Sequence, residues 1–179
     1  MSVSGAEIQR FKNQQAIYDC LLRCGRGIDR RDTELIESAF HNDATVDHGY
    51  FTGSASAFAT FIGPFYDSHG VVQATHRVNQ ALIEFIDADT AHVESYSLVF
   101  IDAAGEGGSL TARTIGGRYL DRVERRDGAW AVAERTYVLD WNSNVDSTVD
   151  RDGSYFGELA RGRTDRSDDS YALFAGLCP

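Results

Sequence analysis

Three residues set far apart along this 179-residue chain could do acid–base chemistry: Asp29, His76 and Arg135. His76 stands in the stretch VVQATHRVNQALIEFI. An imidazole with an ordinary pKa near ~6.5 is the natural proton shuttle at neutral pH. It becomes a directed base when a carboxylate orients it. A lone histidine on a strand also reads as a satisfied structural residue, and that alternative stands beside the first. Asp29 closes the segment CGRGID. Asp32 is the better N-cap for the helix that follows, which leaves Asp29 with less local work and makes it a plausible orienter of His76.

Arg135 falls on one face of WAVAERTYVLDW together with Ala133, Tyr137, Leu139 and Trp141, at the period of two that a strand imposes. A guanidinium on such a face needs a partner, because unpaired buried charge is costly. It either forms an ion pair at the sheet edge or snorkels to water, or it points into a cavity and holds an anionic or electronegative ligand group. Glu94 and Tyr96 share a face of HVESYSLVFI and are expected to line the same cavity. Asp47 and His48 are adjacent, but neighbours on a strand point to opposite faces, so one of the two is expected to face out. His41, His69 and His92 read as surface or turn residues. The histidines form no HExxH or other tight metal spacing, and no metal or cofactor is expected. Cys20 and Cys24 read as small residues on one helix face, and with Cys178 they make too sparse a set for a disulfide framework.

The elements that must position these residues follow from periodicity. Ser4 and Glu7 fit a capping box. Ile8, Phe11, Ile17, Leu21, Cys24 and Ile28 then recur at helical spacing, with Gly25 and Gly27 weakening the far end. Asp32 and Ser54 are candidate caps for a second and a third helix. The third carries Phe58, Phe61, Ile62 and Phe65, and Gly63-Pro64 is expected to kink or end it. Four long strands follow. Gly116 and Gly117 mark a bulge or close approach, and Asp127-Gly128 is a hairpin turn signal. Helices followed by a strand meander indicate an α+β fold with a mostly antiparallel sheet curled around a helix, leaving a cone-shaped apolar cavity. The outward set Trp130, Val132 and Val138 is expected to serve subunit packing. Residues 1–141 are read as the domain. Residues 142–179 are read as an extension whose end, SYALFAGL, docks over the pocket mouth or onto a neighbouring subunit.

Composition narrows the partners. A net charge of −10 argues against nucleic acid and against anionic membranes. No apolar run approaches the ~18 residues of a membrane span, and MSVSGAEIQRFKNQQ lacks a signal pattern, so cytoplasmic residence is expected.

The stretches GIDRRD, THRVNQALIEF and GGRYLDRVERRDGAW, with Glu134-Arg135, occur in an order and spacing that resembles the SnoaL-like branch of the nuclear-transport-factor-2-like (NTF2-like) superfamily. The resemblance runs from about Ile17 to Trp141. It implies a cone-shaped α+β barrel. That branch includes polyketide cyclases and cofactor-free dehydrochlorinases and dehydratases, so the resemblance implies a lyase or isomerase acting on a small hydrophobic cyclic molecule. In its lyase members an aspartate ending the first helix orients a histidine base on the first long strand, and an arginine on the last strand assists. Asp29, His76 and Arg135 fall on those positions. Cys24 stands where the dehydratases carry a tyrosine, leaving Tyr50, Tyr96 or Tyr119 as substitute phenols. With Phe61, Glu94 and Tyr137 these complete the expected substrate-binding set. A homodimer or homotrimer is implied. The superfamily also holds non-catalytic members, so a ligand-binding or subunit-interaction module is the alternative.

Overall fold

A computed structural model describes residues 3–175, apart from positions 106, 108 and 154. Cys178 and the last two residues of SYALFAGL lie outside the described residues. Helix α1 (Gly5–Asp29) opens on the expected capping box. The Ser4 hydroxyl accepts from the Glu7 N–H, and the Glu7 carboxylate accepts from the Ser4 N–H. Its buried stripe is Ile17, Cys20, Leu21, Cys24 and Ile28. Ile8 and Phe11 do not join it: both are exposed, because packing begins only farther along the helix. Gly25 and Gly27 do not weaken the far end either. The helix runs unbroken to Asp29, and Gly27 serves close approach, since a Cβ there would lie 2.7 Å from the Ile36 side chain and 2.8 Å from its backbone N.

Helix α2 (Thr33–Glu37) is capped by Asp32 and helix α3 (Ala55–Ser68) by Ser54, as their sequences indicate. Pro64 sits inside α3 without ending it. A proline there forfeits one backbone bond, but burial of Phe58, Ala59, Ile62 and Tyr66 on one face holds the helix through it.

The sheet has six strands: β1 (Phe40–Asp47), β2 (Thr52–Ser54), β3 (Val71–Phe85), β4 (Thr90–Ala104), β5 (Leu110–Arg126) and β6 (Ala129–Asp146). Their order is β2-β1-β6-β5-β4-β3, antiparallel except for the β1–β6 pair. The meander is β3 to β6. The stretch after α2 forms β1, which pairs beside β6. This is the expected α+β cone, with α1 and α3 laid across a curved, unclosed sheet. The β5–β6 turn has positive φ at both Asp127 and Gly128, the conformation a two-residue hairpin requires.

Alternation along β4 is unbroken, one residue in and the next out. Elsewhere bulges reset it. Between Val78 and Gln80 the β3–β4 register slips, so His76 and Val78 face the core but Leu82 is exposed, and Ile83 is buried instead. Between Val132 and Glu134 the β5–β6 register slips as well. That bulge puts Trp130 and Val132 inside with Arg135 and Tyr137, so neither is free for subunit packing. A third slip falls at Gly116–Gly117, opposite Asp140.

Strand β6 continues to Asp146, past the expected domain edge at 141. Beyond it the chain folds back on its own helices. A 3-10 turn (Phe156–Glu158) and the short helix α4 (Asp169–Leu173) lead to contacts with the α1–α2 junction. There Tyr171 donates to Asp32 at 2.6 Å and Arg166 pairs with it at 2.9 Å. Among the described residues no helix is long and apolar enough to cross a membrane.

Candidate active site

Helix α1 ends against β3, and that contact builds the site. Asp29 is the last residue of α1 and His76 faces inward from β3. His76 Nδ1 lies 2.6 Å from Asp29 Oδ1. The same carboxylate accepts the His76 backbone N–H at 2.9 and 3.1 Å. Both side chains are close to buried, at 7% and 11% exposure. An ionised carboxylate only accepts, so Nδ1 is the donor, and in the neutral imidazole Nε2 is the nitrogen that holds the lone pair. Nε2 has no partner among the described residues, and the ring forms part of a cavity wall. Gly25, one turn before Asp29, leaves the helix close to the strand: a Cβ there would stand 3.4 Å from the His76 Cβ.

The cavity holds about 170 Å³. Ile28, Ile62, Val71, Val99, Ile101 and Ile115 make its apolar wall. Tyr50, Tyr66, Tyr119 and Tyr137 add phenols. Burial pushes the Tyr66 and Tyr119 hydroxyls well above the ordinary phenol range and raises Tyr137 too, so they stay protonated donors. Gly117 makes room for one of them: a Cβ there would collide with the Tyr137 hydroxyl.

Arg135 faces inward but is not part of this wall. Its Nε and Nη2 donate to the two oxygens of Asp121 at 2.8 and 2.7 Å, and Nη1 contacts Cys24 Sγ at 3.1 Å. The pair is buried, and the guanidinium lies 4.3 Å from the centre of the Tyr119 ring. Burial alone would lower the arginine pKa, but the Asp121 carboxylate outweighs it and the guanidinium stays charged. The charge therefore stands one ring behind the wall, where Tyr119 separates it from the cavity. Cys24 is also behind the wall, and burial raises its thiol pKa.

Of the remaining expected binding residues, Tyr50, Tyr119 and Tyr137 line the cavity. Phe61 is one layer out, its ring 5.1 Å from that of Phe65, which does line it. Glu94 and Tyr96 are corrected: they lie on the outer face of β4. Alternation there turns Val93, Ser95 and Ser97 inward, Glu94 pairs with Arg118 at 2.8 Å, and Tyr96 is exposed.

Two histidines join the wall that sequence reading left aside. His48 is buried, with Nδ1 3.2 Å from the Tyr50 hydroxyl and Nε2 buried without a partner. Burial, helped by the charge of Arg135, drives its pKa down to about 3, so it is a neutral imidazole. Its neighbour Asp47 turns outward to Gly49 and Thr52, as opposite faces require. The Asp47-His48 adjacency was the available signal. His69, at the end of α3, sits exposed at the rim with its ring 4.1 Å from Phe65. Among the described residues no group of three His, Cys, Asp or Glu side chains is arranged to hold a metal ion.

A curved sheet wrapped on a long helix, with a buried acid–imidazole pair facing an apolar cavity, defines the NTF2-like α+β class. Within it the chain belongs to the SnoaL-like domain family, whose model matches residues 9–136. Among solved structures it is similar to the hexachlorocyclohexane dehydrochlorinase LinA-type3 of Novosphingobium barchaimii, at 20% identity and TM-score 0.70 over 80% of this chain and 96% of that one. A scytalone dehydratase-like protein of Novosphingobium aromaticivorans superposes with TM-score 0.63 at 19% identity, covering 79% of this chain and 91% of its own. A protein of unknown function from Mycobacterium tuberculosis gives 0.57 at 21% identity, over 84% and 87%. No curated protein matches the chain.

Proposed function

We propose that the chain is a lyase or isomerase that uses the Asp29–His76 pair to take a proton from carbon on a small hydrophobic cyclic substrate. The observation that carries this is the 2.6 Å contact between Asp29 and His76 at the wall of an apolar cavity. In the proposed step a C–H bond breaks and its proton moves to His76 Nε2. The released electron pair forms a carbon–carbon double bond, and the leaving group departs with its own pair. Asp29 stabilises the imidazolium, which returns its proton to a departing hydroxide or to water. The phenols of Tyr119 and Tyr137 and the neutral His48 offer hydrogen bonds to developing negative charge. Arg135 supplies positive potential from behind Tyr119. Such a step needs a base, donors and an electropositive wall, and no electron sink.

A cavity of ~150 Å³ accepts benzene, so a volume of about 170 Å³ suits a single six-membered ring with small substituents better than a polycyclic skeleton. Halide and hydroxyl are the leaving groups to try first, since structural neighbours include a dehydrochlorinase and a scytalone dehydratase-like protein. The test is turnover of halogenated and hydroxylated single-ring compounds, read as halide release or water loss. His76→Ala and Asp29→Asn should each lose at least ~100-fold, the scale of general base catalysis, with folding intact. Full activity in both variants would end this reading.

A second reading, ligand binding without turnover, draws on one observation: the Arg135 donors are occupied by Asp121 and Cys24. It expects ligands to be recovered unchanged and His76 to be replaceable at no loss of affinity. On either reading, the exposed apolar side chains of Leu82, Tyr96, Phe100, Leu120 and Trp141 support self-association, which sedimentation of the full chain would measure.

A further inference from the structure

Arg113 is on the inward row of β5, in the cavity wall, and neither mechanism above uses it. Its cross-strand partners are Ile101 and Asn144, so the sheet gives it no carboxylate. No hydrogen bond or ion pair of its side chain occurs among the described residues. Of the other arginines there, only Arg10, Arg77 and Arg163 share this. Arg10 and Arg77 lie over aromatic rings, Arg163 is beside Asp165, and the rest hydrogen-bond or pair with acids. The chain carries a net −10, yet among the described residues the cavity wall holds Arg113 and three histidines and no Asp or Glu. A half-buried arginine with no side-chain hydrogen bond or ion pair among the described residues, in an apolar pocket whose wall holds no carboxylate, is arranged to receive a planar anion.

Register fixes how far this cation stands from the base. His76 pairs with Val99, and Val99 with Ile115. Arg113 is the next inward position beyond Ile115, two strands from His76, which puts the two backbones roughly 12 Å apart at ordinary strand spacings. Both residues line the cavity. We propose that Arg113 binds a carboxylate on the substrate, so that the reacting carbon lies at His76 and the acid group at the rim: the substrate is a small cyclic carboxylic acid. This rests on the cavity being the substrate site, and it does not require that turnover occur.

The test is calorimetric titration of the full chain, at low salt, with benzoate and with benzamide, which share shape and differ in charge. Wild type should bind benzoate about 10-fold more tightly, the effect of one charge-assisted pair. Arg113→Gln should erase that preference and Arg113→Lys should keep part of it. No preference in wild type, including no binding of either probe, would overturn the proposal. So would a preference that survives in Arg113→Gln. The comparison in wild type needs no variant to fold. Full turnover in His76→Ala would end the lyase reading and leave the benzoate preference of wild type standing, so the two failures are told apart.

Discussion

Asp29 holds His76 at both ring and backbone, so the imidazole resists rotation. The nearby imidazole of His48 has the opposite character. It is buried without a carboxylate, its pKa falls to about 3, and it stays neutral in the folded chain. An unfolded chain would bind a proton at this residue below pH ~6.5. Between that value and about 3 the unfolded state therefore holds more protons, and stability must fall as pH falls. His48→Phe should flatten this acid arm in denaturation midpoints measured from pH 7 to 4. Arg135 and Asp121 form a buried pair, for which losing one partner is worse than losing both. Arg135→Met should cost about 3–5 kcal/mol in chemical denaturation by stranding Asp121, and the double variant Asp121→Leu, Arg135→Met should recover most of it.

At the level of elements, glycines and bulges decide which side chains reach the cavity. Gly117 vacates the space that the Tyr137 hydroxyl fills. Gly117→Ala should cost about 1–3 kcal/mol, as overpacking does, and should loosen ligand binding through displacement of Tyr137. The melting temperature and probe affinity report the two effects. Much of this arrangement was legible in the sequence. Caps at Ser4, Asp32 and Ser54, the turn at Asp127-Gly128 and the face shared by Arg135 and Tyr137 all follow from local chemistry. The reversed strand residues have one physical source. Period-two counting is correct until an extra residue enters a strand, and the bulges between Val78 and Gln80 and between Val132 and Glu134 carry no glycine to announce them. They reverse Leu82, Trp130 and Val132. Glu94 and Tyr96 failed differently: alternation correctly gave them a common face, but nothing local says which face of a strand is the inner one.

Over the whole molecule, the segment after β6 ties the far end of the chain to the helix that carries Asp29. Asp32 collects the Leu35 N–H, the Tyr171 hydroxyl and Arg166. Burial works against its ionisation, but these donors outweigh that and keep its carboxyl below the usual range. Arg26 stacks on Tyr171 and Phe174 along the same seam. Arg151, Phe156 and Leu159 border a second cleft in whose wall Asp29 sits. Asp32→Ala should therefore free residues 163–175 while leaving the sheet intact, seen as faster amide exchange confined to that segment.

The central claim is that Asp29 keeps His76 as a base with its free nitrogen toward the cavity, and nitrogen-15 NMR of the histidine-labelled chain tests it most directly. In its neutral form His76 should be the Nδ1–H tautomer, and Asp29→Asn should abolish that preference. An Nε2–H tautomer in the native chain, or a His76 spectrum unmoved by Asp29→Asn, would contradict it.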